Sequence, residues 1–209
     1  MSYRPTPTPA LTLDRTALVV LAAGAATRMG SPKALVTFEG RTLLEHLLSP
    51  HLLDRLADAV VVLGHHCDRV RPVAEQVGCR WVLNPDPDRG RMTSIQVGLA
   101  AIPPHTDAVF LQGVDCPLVR LATYERLAAQ LGDADVSIPR YRGRDGHPPL
   151  ISTRLLPAIV GARPDDSLRN ILYSDDVRRT AVDVDDPGVL LNIDRPEDLS
   201  QLARLRPHR

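Results

Sequence analysis

Apolar runs of strand length alternate along this chain with segments whose leucines, isoleucines and alanines recur at helical spacing. Residues 16–22 (TALVVLA) read as a buried strand and 59–64 (AVVVLG) as a second. Residues 80–84 (RWVLN), 107–115 (DAVFLQGVD) and 134–141 (ADVSIPRY) supply a third, a fourth and a fifth. Between them, 42–57 carries leucines at helical spacing, interrupted by Pro50. Residues 68–78 predict a short helix with Pro72 in its first turn, 92–102 a helix, and 122–132 a helix closed by Gly132. This alternation predicts an α/β fold of three layers, α/β/α, around a mostly parallel sheet with right-handed crossovers. Ligands of such sheets sit beyond the carboxyl ends of the strands.

The pattern changes after residue 141. Residues 142–152 form a glycine- and proline-rich turn region with the look of a hairpin arm. Residues 165–174 predict a short helix with Asp166 as its N-cap, and 178–185 and 189–194 predict two further strands. A final helix starts at 195, with Pro196 in its first turn. There is no internal repeat and no interior linker, so 11–209 reads as one domain behind a mobile, proline-rich tail, 1–10.

Composition narrows the function. Lys plus Arg and Asp plus Glu are both 25, so the net charge of zero argues against a nucleic-acid partner. No apolar run reaches the length of a membrane span, which argues against a membrane partner. Three cysteines, Cys67, Cys79 and Cys116, contain no CxxC pair and fit free thiols in a cytoplasmic location. The beginning of the chain shows no signal-peptide pattern.

The stretch 19–35, VVLAAGAATRMGSPKAL, carries the most chemistry. A buried strand ends in Leu21, Ala22, Ala23 and Gly24, small residues that let a ligand approach the backbone. Arg28 and Lys33 follow: the first can fork onto two phosphate oxygens, the second can act as a mobile point charge. The spacing is neither GxGxxG nor GxxxxGK(S/T). On residues alone, an alanine-rich turn with two solvated cations remains the rival reading.

LAAGAATRMGSPKAL resembles the signature loop of the MobA/MocA-like nucleotidyltransferases, L-A-A/G-G-x-x-x-R-M-G-x-x-K, with Gly24, Arg28, Met29, Gly30 and Lys33 at that family's spacing. LNPDPDRGRMTSIQVGL, LQGVDCPLV, GHPPLIS and LNIDRPEDL resemble its later motifs in the same order. The resemblance implies a Rossmann-like sheet of the nucleotide-diphospho-sugar transferase type and a loop that holds a nucleoside triphosphate. It departs at Val114, where the family has glycine directly before the aspartate of its G-D-x-P motif. That leaves the shape of the site open.

The resemblance makes Arg28, Lys33 and Asp115 catalytic. Leu21, Ala22, Ala23, Gly24, Arg28, Lys33, Asn84 and Ser94 become nucleotide-binding, and Asp115 and Asp194 ligands of Mg²⁺. Each also has a plainer reading. Asp115 could cap a turn before Pro117, Asp194 could cap the last helix, and Asn84 and Ser94 could be turn and cap residues. Asn192 stands where the family often has an acid, and His147, in GHPPL, lies in the irregular region expected to cover the acceptor. Both are candidates for acceptor binding. His65, His66, Cys67 and Asp68 lack a second pair at zinc-site spacing.

The implied reaction moves a nucleoside monophosphate from an NTP to a phosphorylated acceptor and releases pyrophosphate. Ala23 makes the loop LAAG, which in the family goes with CTP, and implies molybdenum cofactor as acceptor and a transient contact with a molybdoenzyme maturation partner. A sugar-phosphate nucleotidyltransferase and a nucleotide-binding module without turnover are the alternatives.

Overall fold

The computed structural model describes residues 10–25 and 30–204. Arg28, Met29 and residues 1–9 of the expected tail lie outside the described residues. The strands are β1 (Thr16–Ala22), β2 (Thr37–Phe38), β3 (Arg41–Thr42), β4 (Asp58–Leu63), β5 (Arg80–Leu83), β6 (Ala108–Gly113), β7 (Val136–Tyr141), β8 (Arg144–Asp145), β9 (Leu150–Ser152) and β10 (Arg179–Asp183). The helices are α1 (Leu43–Leu47), α2 (Pro50–Leu53), α3 (Cys67–Gln76), α4 (Arg91–Ala100), α5 (Leu121–Leu131), α6 (Leu156–Val160), α7 (Leu168–Leu172) and α8 (Leu199–Arg204).

One sheet runs β10-β7-β9-β6-β1-β4-β5, with β8 paired to β7, while β2 and β3 form a small separate hairpin. β1 pairs parallel with β4 and β6, and β4 with β5. β9 runs antiparallel to both of its neighbours, β6 and β7. The mostly parallel sheet read from the sequence is therefore present, with the region after residue 141 adding its reversed strand.

Successive residues of a strand face opposite sides, and both sides here are covered. Leu18, Val20, Val61, Leu63 and Phe110 pack in one core with Leu44 of α1, Val70 of α3 and Leu127 of α5. Val19, Leu21, Val60, Val62, Val109 and Leu111 pack in the other with Met92, Ile95 and Leu99 of α4 and Ile159 of α6. That is why the strands read as continuous apolar runs rather than alternating ones. Gly98 fixes how close α4 lies: a Cβ there would stand 2.4 Å from Val19 Cγ1 and 2.8 Å from Val62 Cγ2.

Several expected details differ. The 42–57 helix is two short ones, because Pro50 starts α2 and cannot continue α1. Pro72 lies in the second turn of α3, not the first, because α3 begins at Cys67. β6 stops at Gly113, so Asp115 lies in the turn beyond it. Asp166 is not an N-cap: Ser167 holds that position, and the Asp166 carboxylate accepts from the Arg163 N–H. Residues 189–194 form no strand. A turn over Pro187–Leu190 leads into extended chain, and the Ile193 N–H goes to the Asp115 carbonyl instead of a ladder.

Candidate functional site

The carboxyl ends of β1, β4 and β6 stand side by side, with Ala22 opposite Leu63 and Leu21 opposite Gly113. The turn after β1 is packed from below by the turn after β4. Gly64 lies so close to Ala23 that a Cβ on it would stand 2.5 Å from the Ala23 carbonyl oxygen, and the His65 N–H donates to that oxygen. Ala23 is buried, whereas among the described residues nothing stands within 4 Å of where a Cβ on Gly24 would lie.

The turn carrying Asp115 is fixed on every side. The Val114 N–H donates to the Leu21 carbonyl, the Cys116 N–H to that of Gly113, and the Ile193 N–H to that of Asp115. Below it, the Tyr124 hydroxyl donates to Gln112, whose amide donates to the Cys116 carbonyl. This buried chain ties the turn to α5. Burial pushes the Cys116 thiol pKa well up, and Sγ donates to the Gly188 carbonyl 3.3 Å away, so this cysteine is a packing group.

Asp194 is placed by alternation. Leu191 and Ile193 turn inward onto Leu43, leaving Asn192 and Asp194 exposed. The Asp194 side chain reaches Lys33: Nζ lies 2.6 Å from Asp194 Oδ1 and 3.7 Å from Asp115 Oδ2. The helix-cap work expected of Asp194 falls to Asp198, whose carboxylate accepts from the Asp194 and Arg195 N–H groups. Three residues spread over most of the sequence thus meet around one ammonium group.

A cleft of about 290 Å³ opens beside them, lined by Leu21, Ala22, Ala23, Gly24, Lys33, Ser94 and Asp115, with Pro87 and Arg91 on its wall. Asn84 lies behind this lining. It is 2% exposed, its amide donates to Thr93 and Ser94 at 2.9 Å, and its carbonyl accepts from the Asp86 N–H. Its position supports Ser94. A second cavity of about 340 Å³ adjoins the first and takes His147 into its lining. His147 is an exposed residue at the cavity mouth, yet desolvation by the surrounding protein, and then the Arg91 charge, hold its pKa below the ordinary value. Asn192 lines neither cavity. The His65 and His66 rings have separate partners, Asp88 Oδ1 at 3.1 Å and the Ala25 carbonyl at 3.0 Å.

The sequence reading missed Arg91, Gln112, Tyr124 and Asp186. Arg91 left one signal: it is a cation at the first position of a helix, where the helix dipole opposes it. Asp186 looks like any turn aspartate, but it is buried and accepts from the Arg120 N–H, the Thr123 hydroxyl and the Gly188 N–H.

Among the described residues no group of three or more His, Cys, Asp or Glu side chains is set to hold a metal. Among the described residues the Lys33 ammonium nevertheless bridges Asp115 and Asp194, so their carboxylates already converge on a positive charge. Two hard oxygen donors completed by phosphate oxygens suit a divalent ion of the Mg²⁺ or Mn²⁺ type.

Residues 18–180 match the model of the MobA-like NTP transferase domain. The chain belongs to that nucleotidyltransferase family. It is 25% identical over 181 residues to the molybdenum cofactor cytidylyltransferase of Escherichia coli K12, covering 86% of this chain and 91% of that one. It is 33% identical over 158 residues to the nicotine blue oxidoreductase of Paenarthrobacter nicotinovorans, covering 71% and 76%. Among solved structures it resembles Rv0371c of Mycobacterium tuberculosis H37Rv in complex with manganese, with a TM-score of 0.74, 26% identity and coverage of 91% and 98%. Among the described residues no helix is long and apolar enough to cross a membrane.

Proposed function

We propose that this protein transfers a cytidylyl group from CTP to the phosphate of molybdenum cofactor and releases pyrophosphate, acting in the cytoplasm as one domain over 11–209. The observation that carries the reading is the meeting of Lys33, Asp115 and Asp194 at the rim of the cleft formed by the turn after β1. A lysine and two aspartates at the mouth of a small-residue turn suit a polyphosphate and its divalent ion.

In this reading the backbone of Ala22, Ala23 and Gly24 lies under the triphosphate, Ser94 contacts its flank, and Asn84 holds Ser94 in place. Lys33 leaves the carboxylates and, with Arg28, neutralises the β and γ phosphates. Asp115 and Asp194 would hold Mg²⁺, which would supply positive charge against the phosphate oxygens. His147 and Asn192 belong to the acceptor side. A phosphate oxygen of the acceptor attacks the α phosphorus, forming one P–O bond as the bond to the β phosphate breaks. The nucleophile is ionised at neutral pH, so no general base is needed, and catalysis is positioning plus charge stabilisation.

The molybdenum cofactor cytidylyltransferase named above supports the choice of nucleotide and acceptor, as does Ala23. The relative named nicotine blue oxidoreductase favours a second reading, in which the same fold serves a redox reaction. The test is pyrophosphate release with each of four nucleotides, with and without molybdenum cofactor and with sugar phosphates as alternatives. Release that needs both CTP and the cofactor supports the proposal. No release with any pair, alongside reduction of nicotine blue by a supplied reductant, replaces it with the second reading.

A further inference from the structure

Two cavities meet at the carboxyl ends of the strands, and among the described residues Arg91 alone lines both. One is the cleft that contains Lys33 and Asp115. The other has an apolar floor including Met92, Ile95 and Leu111, with His147 on its rim. Arg91 is the first residue of α4, where free N–H groups and the helix dipole disfavour a cation. Helix stability therefore does not account for an arginine there. Pairing does not account for it either: among the described residues the Arg91 side chain makes no hydrogen bond and no ion pair.

Its guanidinium is nevertheless well placed. Nη2 lies 3.5 Å from where a Cβ on Gly113 would stand, beside the Asp115 carboxylate, and its charge is felt by His147 across the junction. The carboxylates on the second cavity's rim are committed elsewhere. Asp145 accepts from Arg140 and from the Tyr173 hydroxyl, and Asp166 accepts from the Arg163 N–H. Five N–H donors thus stand uncommitted where the cavities join, in a planar fork that matches two oxygens of a phosphate.

We infer that Arg91 grips the phosphate of the acceptor at the junction of the two cavities, and so selects acceptors that present a phosphate next to an apolar body. The inference rests on the nucleotidyl-transfer reading above. Lys33 serves the triphosphate and Arg91 the second anion, with the Asp115 carboxylate near both.

The test uses the full chain, Mg²⁺, a CTP analogue with a non-hydrolysable α,β-methylene bond, and inorganic phosphate as the probe, followed by calorimetry. The wild type is expected to bind the analogue and then phosphate. Arg91→Gln should weaken phosphate binding about ten- to a hundredfold, the loss of a charged hydrogen-bond pair, while analogue affinity stays within about twofold. Arg91→Lys should recover part of the phosphate affinity, since it keeps the charge and loses the fork. Phosphate affinity unchanged in Arg91→Gln, no phosphate uptake by the wild type, or an equal loss of analogue affinity would each overturn the inference. A wild type that binds no analogue overturns the nucleotidyl-transfer reading instead. Phosphate titrated into the nucleotide-free protein then still decides Arg91: loss in Arg91→Gln supports an anion site, and no loss removes it.

Discussion

Replacing Gly113 by alanine tests whether the position of the Asp115 carboxylate governs the chemistry. Gly113 is the last residue of β6, paired with Leu21. Its φ is not in the left-handed region, so alanine strains no backbone angle. The added Cβ would stand 2.2 Å from Asp115 Oδ1 and 3.2 Å from Cγ, where ordinary contact begins near 3.4 Å. The carboxylate must therefore move by roughly 1 Å, and a shift of that size costs about 10²-fold in rate. The obstacle is a side chain that can swing into the open cleft, so the stability cost should sit near the low end of the ~1–3 kcal/mol typical of overpacking. For a chain of this size that is a fall in Tm of about 2–4 °C per kcal/mol. Steady-state pyrophosphate release and thermal unfolding, measured on the same preparation, read both quantities. Wild-type kcat with an unchanged Tm would show that the carboxylate is not held where the reaction needs it. A collapse in Tm would show that the strand, rather than the site, had failed.

Asp186→Ala should cost about 3 kcal/mol, because it leaves the Arg120 N–H, the Thr123 hydroxyl and the Gly188 N–H without their buried acceptor. Denaturant unfolding checks this, and a loss under about 1 kcal/mol would contradict it. The Glu45 carboxyl is held below its ordinary 4.5 by hydrogen bonds from the Thr42 side chain and N–H. Its contribution to stability is therefore present above pH 4.5 and lost as pH falls through the depressed value. Tm curves of the wild type and Glu45→Gln should converge in acid, and parallel curves would refute the assignment. Ala23→Gly should move nucleotide preference from CTP toward GTP, read as the ratio of kcat/KM values; an unchanged ratio would separate the turn from nucleotide choice.

Much of this architecture was legible because local pattern and global position agree. TALVVLA, AVVVLG and DAVFLQG are buried on both faces, so they appear as unbroken apolar runs, and they are β1, β4 and β6. Lys33 stood out as a cation after a run of small residues and Asp115 through its resemblance to a family motif, and the structure brings the two side chains within 3.7 Å. Residues 189–194 misled because inward Leu191 and Ile193 alternate with outward Asn192 and Asp194, as in a strand, while the backbone makes one bond to Asp115 rather than a ladder. Asp166 looked like an N-cap, but its carboxylate turned back to Arg163. Arg91 left only the faint signal of a cation at a helix start and Asp186 none, because their roles depend on residues far away in the sequence. Arg91 gains meaning only when the turn after β6 and the His147 segment approach it, and Asp186 only when α5 brings Arg120 and Thr123 to it.

The central claim is that Asp115 and Asp194 act together on one divalent ion beside the triphosphate. Manganese titrated into the protein with the α,β-methylene CTP analogue, followed by electron paramagnetic resonance, tests it most directly. The account expects one tightly bound ion in the wild type and severely weakened binding in both Asp115→Asn and Asp194→Asn, with folding intact. Manganese held equally well by the wild type and both variants would contradict it.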